Sequence, residues 1–88
     1  MNGLGTEVLH DGQTYGGHFV NGQKHGEGTM TYPNSFKQYK GQFYKNQRHG
    51  VGIELNLKTN TQRTGEWKKD KLVRWTSGKQ QIAQISIE

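Results

Sequence analysis

The sequence predicts an all-β protein, built as one elongated, single-layer antiparallel sheet of consecutive β-hairpins. Two observations support this fold class. Glycine and aromatic anchors recur every 24 residues, with Gly17, Gly41 and Gly65 each followed two positions later by an aromatic ring. Turn signals such as Asn21-Gly22 lie between the anchors and favour tight hairpins, because glycine accepts a positive φ. Repeats of this length indicate an array in which each unit packs on its neighbours.

The composition limits the core that the chain can build. The chain has 88 residues, of which 28% are hydrophobic and 13 are glycine, so it forms one domain without a large closed core. Aromatic residues make up 10% of the chain, which argues against disorder. A repeat array reconciles these facts, because each unit needs to bury only one face.

Cysteine and membrane-spanning segments are both missing from the sequence. The absence of cysteine excludes disulfides and thiolate chemistry and fits a reducing compartment. No apolar stretch approaches the length of a transmembrane helix. We therefore expect a soluble cytoplasmic protein, either free or at the periphery of a membrane or the cytoskeleton. The net charge of +5 permits contact with phosphates or acidic surfaces, although a solvated surface is the commoner reason for such a charge.

The predicted strands follow from side-chain alternation between turn signals. They cover residues 4–10, 13–20, 26–32, 36–44, 50–57, 62–68 and 72–76. Turns are predicted near Asp11, Asn21, Asn34, Lys45, Thr59 and Lys69. The repeat domain spans residues 1–78, with a half unit at 3–12, units at 13–36 and 37–60, and a degenerate unit at 61–78. The tail, residues 79–88, fits both a short strand and a short helix.

Alternation along each strand also assigns the two faces of the sheet. The aromatic anchors and their glycines share one face, whereas His18, Gln42 and Glu66 lie on the reverse face. A sheet with one apolar face and one solvent-exposed face is typical of antiparallel structures. Strands lie only about 4.8 Å apart, so we expect the glycines to make room for the rings. The structural glycines are Gly17, Gly26, Gly28, Gly41, Gly50, Gly52 and Gly65.

The recurring string Tyr-x-Gly-x-Phe/Trp, then a turn, then His-Gly-x-Gly resembles the MORN (membrane occupation and recognition nexus) repeat. Two units match closely, and the third matches through Gly65 and Trp67, with Arg63 in the tyrosine position. The resemblance covers residues 3–76 and implies a single-layer sheet with an aromatic groove. Such repeats occur in phosphatidylinositol phosphate kinases, junctophilins and cytoskeletal scaffolds, among other proteins. Lipid binding and protein association, including self-association, therefore both remain open.

Two surfaces are candidates for binding a partner. The aromatic groove consists of Tyr15, Phe19, Tyr32, Tyr39, Phe43 and Trp67. Mutual packing is the simpler explanation for most of these rings, but packed rings on a single sheet still leave an open groove. The basic edge suits anionic headgroups or an acidic protein. It consists of Lys24, Lys45, Arg48, Lys68, Lys69 and Lys71, which lie in or beside the turns after each first strand.

The histidines do not form a catalytic or metal-binding pattern. His25 and His49 occupy equivalent repeat positions, which indicates a structural role. His10 and His18 lack carboxylate or cysteine partners at metal-binding spacing. No nucleophile motif or phosphate-binding loop is present, and no known nucleic-acid module is present either. We therefore expect no enzymatic activity, metal or cofactor in these residues, although a longer parent chain could carry a kinase domain.

The second unit departs from the pattern, because Glu54 stands where the first unit has Met30. The aliphatic residues of that strand have the opposite parity, and we expect them on the reverse face together with Tyr44 and Trp75. This surface should be covered by a second copy of the chain or by the tail. The residues concerned are Val51, Ile53 and Leu55 on the strand and Ile82, Ile85 and Ile87 in the tail.

The sequence thus predicts a non-catalytic binding module. We expect protein–protein interaction or scaffolding through the aromatic groove and the open sheet edges. The alternative is peripheral binding to anionic phospholipids such as phosphoinositides, as the accessory domain of a phosphatidylinositol phosphate kinase or a similar membrane-associated protein. A protein partner or self-association is the favoured interaction, and nucleic acid is a weak candidate.

Overall fold

A computed structural model describes residues 2–81 of the chain. Seven strands follow one another as an antiparallel meander in a single open sheet, which confirms the predicted fold class. They are β1 (Gly3–Val8), β2 (Thr14–Val20), β3 (Gln23–Tyr32), β4 (Lys37–Tyr44), β5 (Gln47–Asn56), β6 (Thr61–Lys68) and β7 (Lys71–Trp75). A short β8 (Gln80–Gln81) pairs with the start of β6, whose far end pairs with β7.

Each predicted turn is found between two strands. The turn at Asn34 is a single 3-10 turn over Pro33–Ser35, and Phe36 closes it in the left-handed conformation with φ 55°. The hairpin turns at Asn21, Lys45 and Lys69 also use positive φ, as tight hairpins require. The strands β3 and β5 begin three residues earlier than predicted, because each continues through a bulge that contains the first glycine of its Gly-x-Gly pair.

The bulge is visible in the register of β2 and β3. Gly17 pairs with Gly28, whereas Phe19 pairs with Lys24, so one residue of β2 faces three residues of β3 between these pairs. Gly26 lies in this bulge with φ +87°. That left-handed conformation costs little for glycine and much more for residues with a side chain.

Gly26 and Gly50 are therefore needed for the backbone conformation of the bulges. This differs from the expectation that they make room for the rings. Gly50 has φ +93° in the corresponding bulge of β5. A Cβ built on Gly26 would only make ordinary contact with His18. The rings instead lie over the second glycine of each pair. A Cβ on Gly28 would collide with the Tyr15 ring.

The core is a row of rings on one face of the sheet. Successive rings meet edge to face, at centroid distances from 4.9 to 5.8 Å and interplanar angles from 77° to 90°. Aromatic pairs prefer this geometry, and each adds about 0.5–1.5 kcal/mol beyond its buried area. In spatial order the rings are Phe19, Tyr15, Phe43, Tyr39, Trp67 and Trp75. Met30 is buried among them.

Trp75 belongs to this row, so its prediction for the reverse face was wrong. Between β6 and β7 the register shifts by one residue, because Trp67 pairs with Leu72 and Gly65 pairs with Trp75. The bulges in the first two units each insert two extra residues and preserve the alternation. A single extra residue instead reverses the face of every later side chain, which turns Trp75 toward Trp67.

The reverse face is apolar in its C-terminal half, as the parity of β5 predicted. Val51 and Tyr44 are exposed there, whereas Leu55 is buried outside the aromatic core. Leu55 pairs with Gln62, which in turn pairs with Gln80 of β8. The tail isoleucines that were expected to cover this surface lie outside the described residues.

Candidate functional site

The rings of the predicted aromatic groove are mostly used in packing. Tyr15 and Tyr39 are almost fully buried, and their hydroxyls are satisfied. Tyr15 donates to the carbonyl of His18 at 2.8 Å, and Tyr39 donates to that of Gln42 at 2.9 Å. Burial raises the pKa of Tyr39 to about 12, despite the opposing effect of its hydrogen bond. These phenols therefore stay neutral and structural at physiological pH.

A shallow groove remains above the packed rings, with a volume of about 270 Å³. Its lining residues include Tyr32, Leu9, Asn46 and Asp70. Tyr32 is the only ring of the predicted aromatic set that is partly exposed among these residues. Burial raises the pKa of Tyr32, and the nearby Arg48 opposes that rise. The groove thus has a mixed lining of apolar and polar side chains.

Two members of the predicted basic edge face this groove. Lys24 Nζ lies 5.6 Å from the centroid of the Tyr15 ring, and the Arg48 guanidinium lies 5.7 Å from that of Tyr39. They occupy equivalent repeat positions and cap equivalent rings. Arg48 also forms an ion pair with Asp70, at 3.0 Å between Nε and Oδ1. The basic edge is therefore partly neutralised at its centre.

The other four members of the basic edge are exposed lysines: Lys45, Lys68, Lys69 and Lys71. Lys68 and Lys71 lie directly opposite each other across β6 and β7. Like charges at such positions are destabilising. The ion pairs found among residues 2–81 include none of these four lysines.

Asn46 is a structural residue that the sequence reasoning missed. Its Oδ1 accepts the backbone N–H of Lys24 at 2.8 Å, and its own N–H donates to the Lys24 carbonyl at 2.9 Å. These bonds join the turns of neighbouring hairpins. Asp70 makes the corresponding contact one unit later. The signal was present in the sequence, because Asn46 and Asp70 stand 24 residues apart in turns.

The predicted structural histidines flank one tyrosine. The rings of His25 and His49 lie 5.0 and 5.7 Å from that of Tyr44, on the reverse face. The residues that the structure describes contain no group of three or more side chains able to hold a metal ion. No helix within residues 2–81 is long and apolar enough to cross a membrane.

The outer edge of β1 pairs with no other strand in the described part of the chain. Leu4 and Val8, on the reverse face of β1, are 75% and 71% exposed. This edge is therefore an open hydrogen-bonding template with apolar side chains beside it.

The fold and these surfaces define an open array of consecutive hairpins. Residues 15–35 and 39–55 each match the family model described as MORN repeat, so these two units are similar to MORN repeats. MORN repeats are generally non-catalytic modules that bind proteins or membranes. A comparison with curated proteins found no match.

Proposed function

We propose that this chain is a protein-interaction or scaffolding module that binds through the free edge of β1 and the groove above the rings. The observation that supports it best is the state of the β1 edge. An edge strand with unpaired backbone groups can add a strand from another chain, and its side chains give the contact selectivity. Leu4 and Val8 provide apolar side chains at this edge.

The two edges of the sheet differ in how they are protected. Natural proteins block edge strands with lysine, proline, bulges or short length. The strand β7 is five residues long, contains a bulge and carries Lys71 and Arg74. By contrast, β1 has a regular register with β2, and Glu7 is its only charged residue. Of the two edges of the sheet, the β1 edge is therefore the one open to pairing with another strand.

Self-association is the simplest form of this function to test. Sedimentation velocity over a wide concentration range should show a dimer of the full chain that Val8→Lys abolishes, because a charge at the joined edge is unfavourable. The control is Val51→Lys, since Val51 is also an exposed valine on the reverse face but lies inside the sheet, where it pairs with Glu66. A single monomer mass at every concentration would contradict self-association through β1.

A second candidate function is peripheral binding to anionic phospholipids such as phosphoinositides. The opposed pair Lys68 and Lys71 favours it, because this repulsive arrangement has no partner among the described ion pairs. An anionic headgroup would relieve the repulsion. In this form the chain would act as the accessory domain of a phosphatidylinositol phosphate kinase or a similar membrane-associated protein.

A further inference from the structure

Three positions at which the later units depart from the repeat meet around one cavity. Glu54 stands where the first unit has Met30, and Arg63 stands where the second unit has Tyr39. Trp75 lies opposite Gly65, where the earlier units place a glycine. These departures lie on three successive strands, β5, β6 and β7, and all three residues line the same cavity on the aromatic face.

The cavity has a volume of about 250 Å³, and cationic groups predominate around it. The lining residues include three basic residues, Lys37, Arg63 and Lys79, and a single acidic residue, Glu54. Arg63 and Glu54 face each other across β5 and β6. The two ion pairs found within residues 2–81 involve neither of them. The cavity therefore carries a net positive charge that the described residues leave unneutralised.

Arg63 is held in a defined orientation at the cavity wall. Its guanidinium lies 4.6 Å from the centroid of the Trp75 ring, and its Nε donates to the carbonyl of Ser77 at 2.9 Å. This single hydrogen bond is the one found for the Arg63 side chain among the described residues. The two terminal nitrogens thus remain available as a pair of donors.

Packing alone explains only part of this arrangement. The stacking of Arg63 on Trp75 and the bond to Ser77 replace the tyrosine ring and hydroxyl bond of the earlier units. That replacement requires neither Lys37 nor Lys79 nearby, and gathering like charges around Arg63 is unfavourable in the free chain. A bound anion would attract all three cationic side chains and so offset their mutual repulsion.

We propose that this cavity binds a carboxylate of an acidic peptide segment in a partner protein. The guanidinium fork of Arg63 matches a carboxylate in a bidentate arrangement, and the lysines add attraction. Glu54 lowers the preference for a dianion such as a phosphate monoester, because its carboxylate repels a double negative charge more strongly than the single charge of a carboxylate. The exposed part of Trp75 packs on the methylene groups of the acidic side chain. The site rests on the proposed protein-binding function but is separate from the β1 edge.

The chain contains two tryptophans, which gives the proposal a local readout. A hexaglutamate peptide is titrated into the isotope-labelled full chain, and the two indole N–H resonances are followed by NMR. We expect the resonance of Trp75 to shift and that of Trp67, which is 4% exposed, to stay in place. A hexaserine peptide should shift neither resonance.

Matched variants separate the site from general charge attraction. Arg63→Gln should weaken peptide binding about tenfold, as loss of a charged hydrogen-bonding partner does. Arg74→Gln is the control, because Arg74 belongs to the adjacent strand and pairs with Glu66 on the reverse face. It should leave the affinity unchanged. Lys79→Gln removes an exposed charge without touching the core, and it should weaken binding even if Arg63→Gln perturbs the local fold.

Inorganic phosphate and vesicles of phosphatidylcholine with phosphatidylserine complete the experiment. The wild-type chain should bind the peptide more tightly than phosphate, and Glu54→Gln should narrow that difference. An equal loss for Arg63→Gln and Arg74→Gln, or an unmoved Trp75 resonance, would overturn the proposal. A shift of Trp75 with vesicles but not with peptide would also overturn it. Self-association through β1 is measured without peptide, so the two ideas can fail independently.

Discussion

Asp70 contacts Arg48 through three accepted hydrogen bonds. Its Oδ1 accepts the backbone N–H and the Nε of Arg48, each at 3.0 Å, and its carbonyl accepts a terminal nitrogen at 2.8 Å. Asp70 also donates its own N–H to the Arg48 carbonyl at 3.0 Å. These bonds run between the turns of consecutive hairpins rather than within one strand pair. They fix the spacing of the units along one edge of the array.

Removing the Asp70 acceptor should destabilise the fold. Glycine accepts the φ of +69° at this position, so Asp70→Gly removes the acceptor without straining the backbone. We expect a loss of about 1–2 kcal/mol in the free energy of unfolding, measured by urea denaturation. Asp70→Asn keeps the acceptor for the backbone N–H and should cost less than about 1 kcal/mol, the worth of an exposed ion pair. Equal losses would show that the charge matters rather than the acceptor.

Gly41 should not tolerate a side chain. A Cβ there would lie 2.5 Å from Gly52 Cα and 2.7 Å from the Tyr39 hydroxyl, so Gly41→Val should cost about 1–3 kcal/mol or more through overpacking. The control is Gly16→Val, because a Cβ on Gly16 meets nothing within 4 Å. Thermal melting should distinguish the two variants, and similar shifts would contradict the assignment of faces.

Stability should fall in alkaline solution because Tyr39 is buried. Its pKa is about 12 in the folded chain, against about 10 when unfolded. The folded value is the higher one, so the contribution of the neutral phenol is fully present below pH 10 and is lost as the pH rises toward 12. The slope is roughly 1.4 kcal/mol per pH unit for one such group.

Tyr39→Phe should therefore flatten the decline of the melting temperature between pH 10 and about 12, with each variant normalised to its own value at neutral pH. Tyr44→Phe, at an exposed tyrosine, serves as the control and should follow the wild-type curve. An unchanged slope for Tyr39→Phe would show that other groups dominate the alkaline transition.

The phospholipid alternative predicts a strong dependence on three exposed lysines. Replacing Lys68, Lys69 and Lys71 with glutamine should weaken binding to phosphatidylcholine vesicles that contain phosphatidylinositol 4-phosphate. Each lysine near an anionic surface contributes about 1 kcal/mol, so the loss should be roughly a hundredfold. Vesicle co-sedimentation at low and high salt measures it, and added salt should reduce wild-type binding as well.

An equal number of charges removed elsewhere provides the control for that experiment. Lys37, Lys40 and Lys58 lie away from the turn edge that carries the three lysines, and their replacement should have a smaller effect. Vesicle binding that is indifferent to both the edge lysines and salt would reject the basic-edge mechanism.

The predicted role of the tail can be tested with two truncations. A chain ending at Gln81 keeps β8 and lacks Ile82, Ile85 and Ile87, whereas a chain ending at Gly78 lacks β8 as well. Each isoleucine that is buried on the reverse face should contribute roughly 1.5–3 kcal/mol. We expect that the cut after Gln81 is already sufficient to lower the melting temperature or to promote association. An unchanged melting temperature and mass would show that the isoleucines do not cover the sheet.

The sequence predicts the meander and the ring positions because both follow from local rules. Side-chain alternation places Tyr15 and Phe19 on one face, independently of the neighbouring strands. Each Asn-Gly-like turn sets where the next strand begins and that it runs antiparallel. The face of Trp75 could not be predicted in this way. It depends on whether the bulge in β7 contains one extra residue or two, and that choice is made by pairing with β6.

The candidate surfaces were predicted less completely for the same reason. Lys24 and Arg48 were assigned to the edge by their position in sequence, but both side chains reach back over the tyrosine rings. Such contacts depend on side-chain directions that a register alone does not give. The cavity around Arg63 likewise joins residues from β4 to Lys79, just before β8, that no single motif connects.

Because the rings pack across unit boundaries, no repeat unit has a separate hydrophobic core. Phe43 contacts Tyr39 of its own unit and Tyr15 of the unit before, and Tyr39 contacts Trp67 of the unit after. Stability therefore resides largely at the junctions, which makes unfolding cooperative along the array and stability dependent on its length. A duplication of 24 residues would add one complete junction. A single inserted residue within a strand would turn the following rings into water.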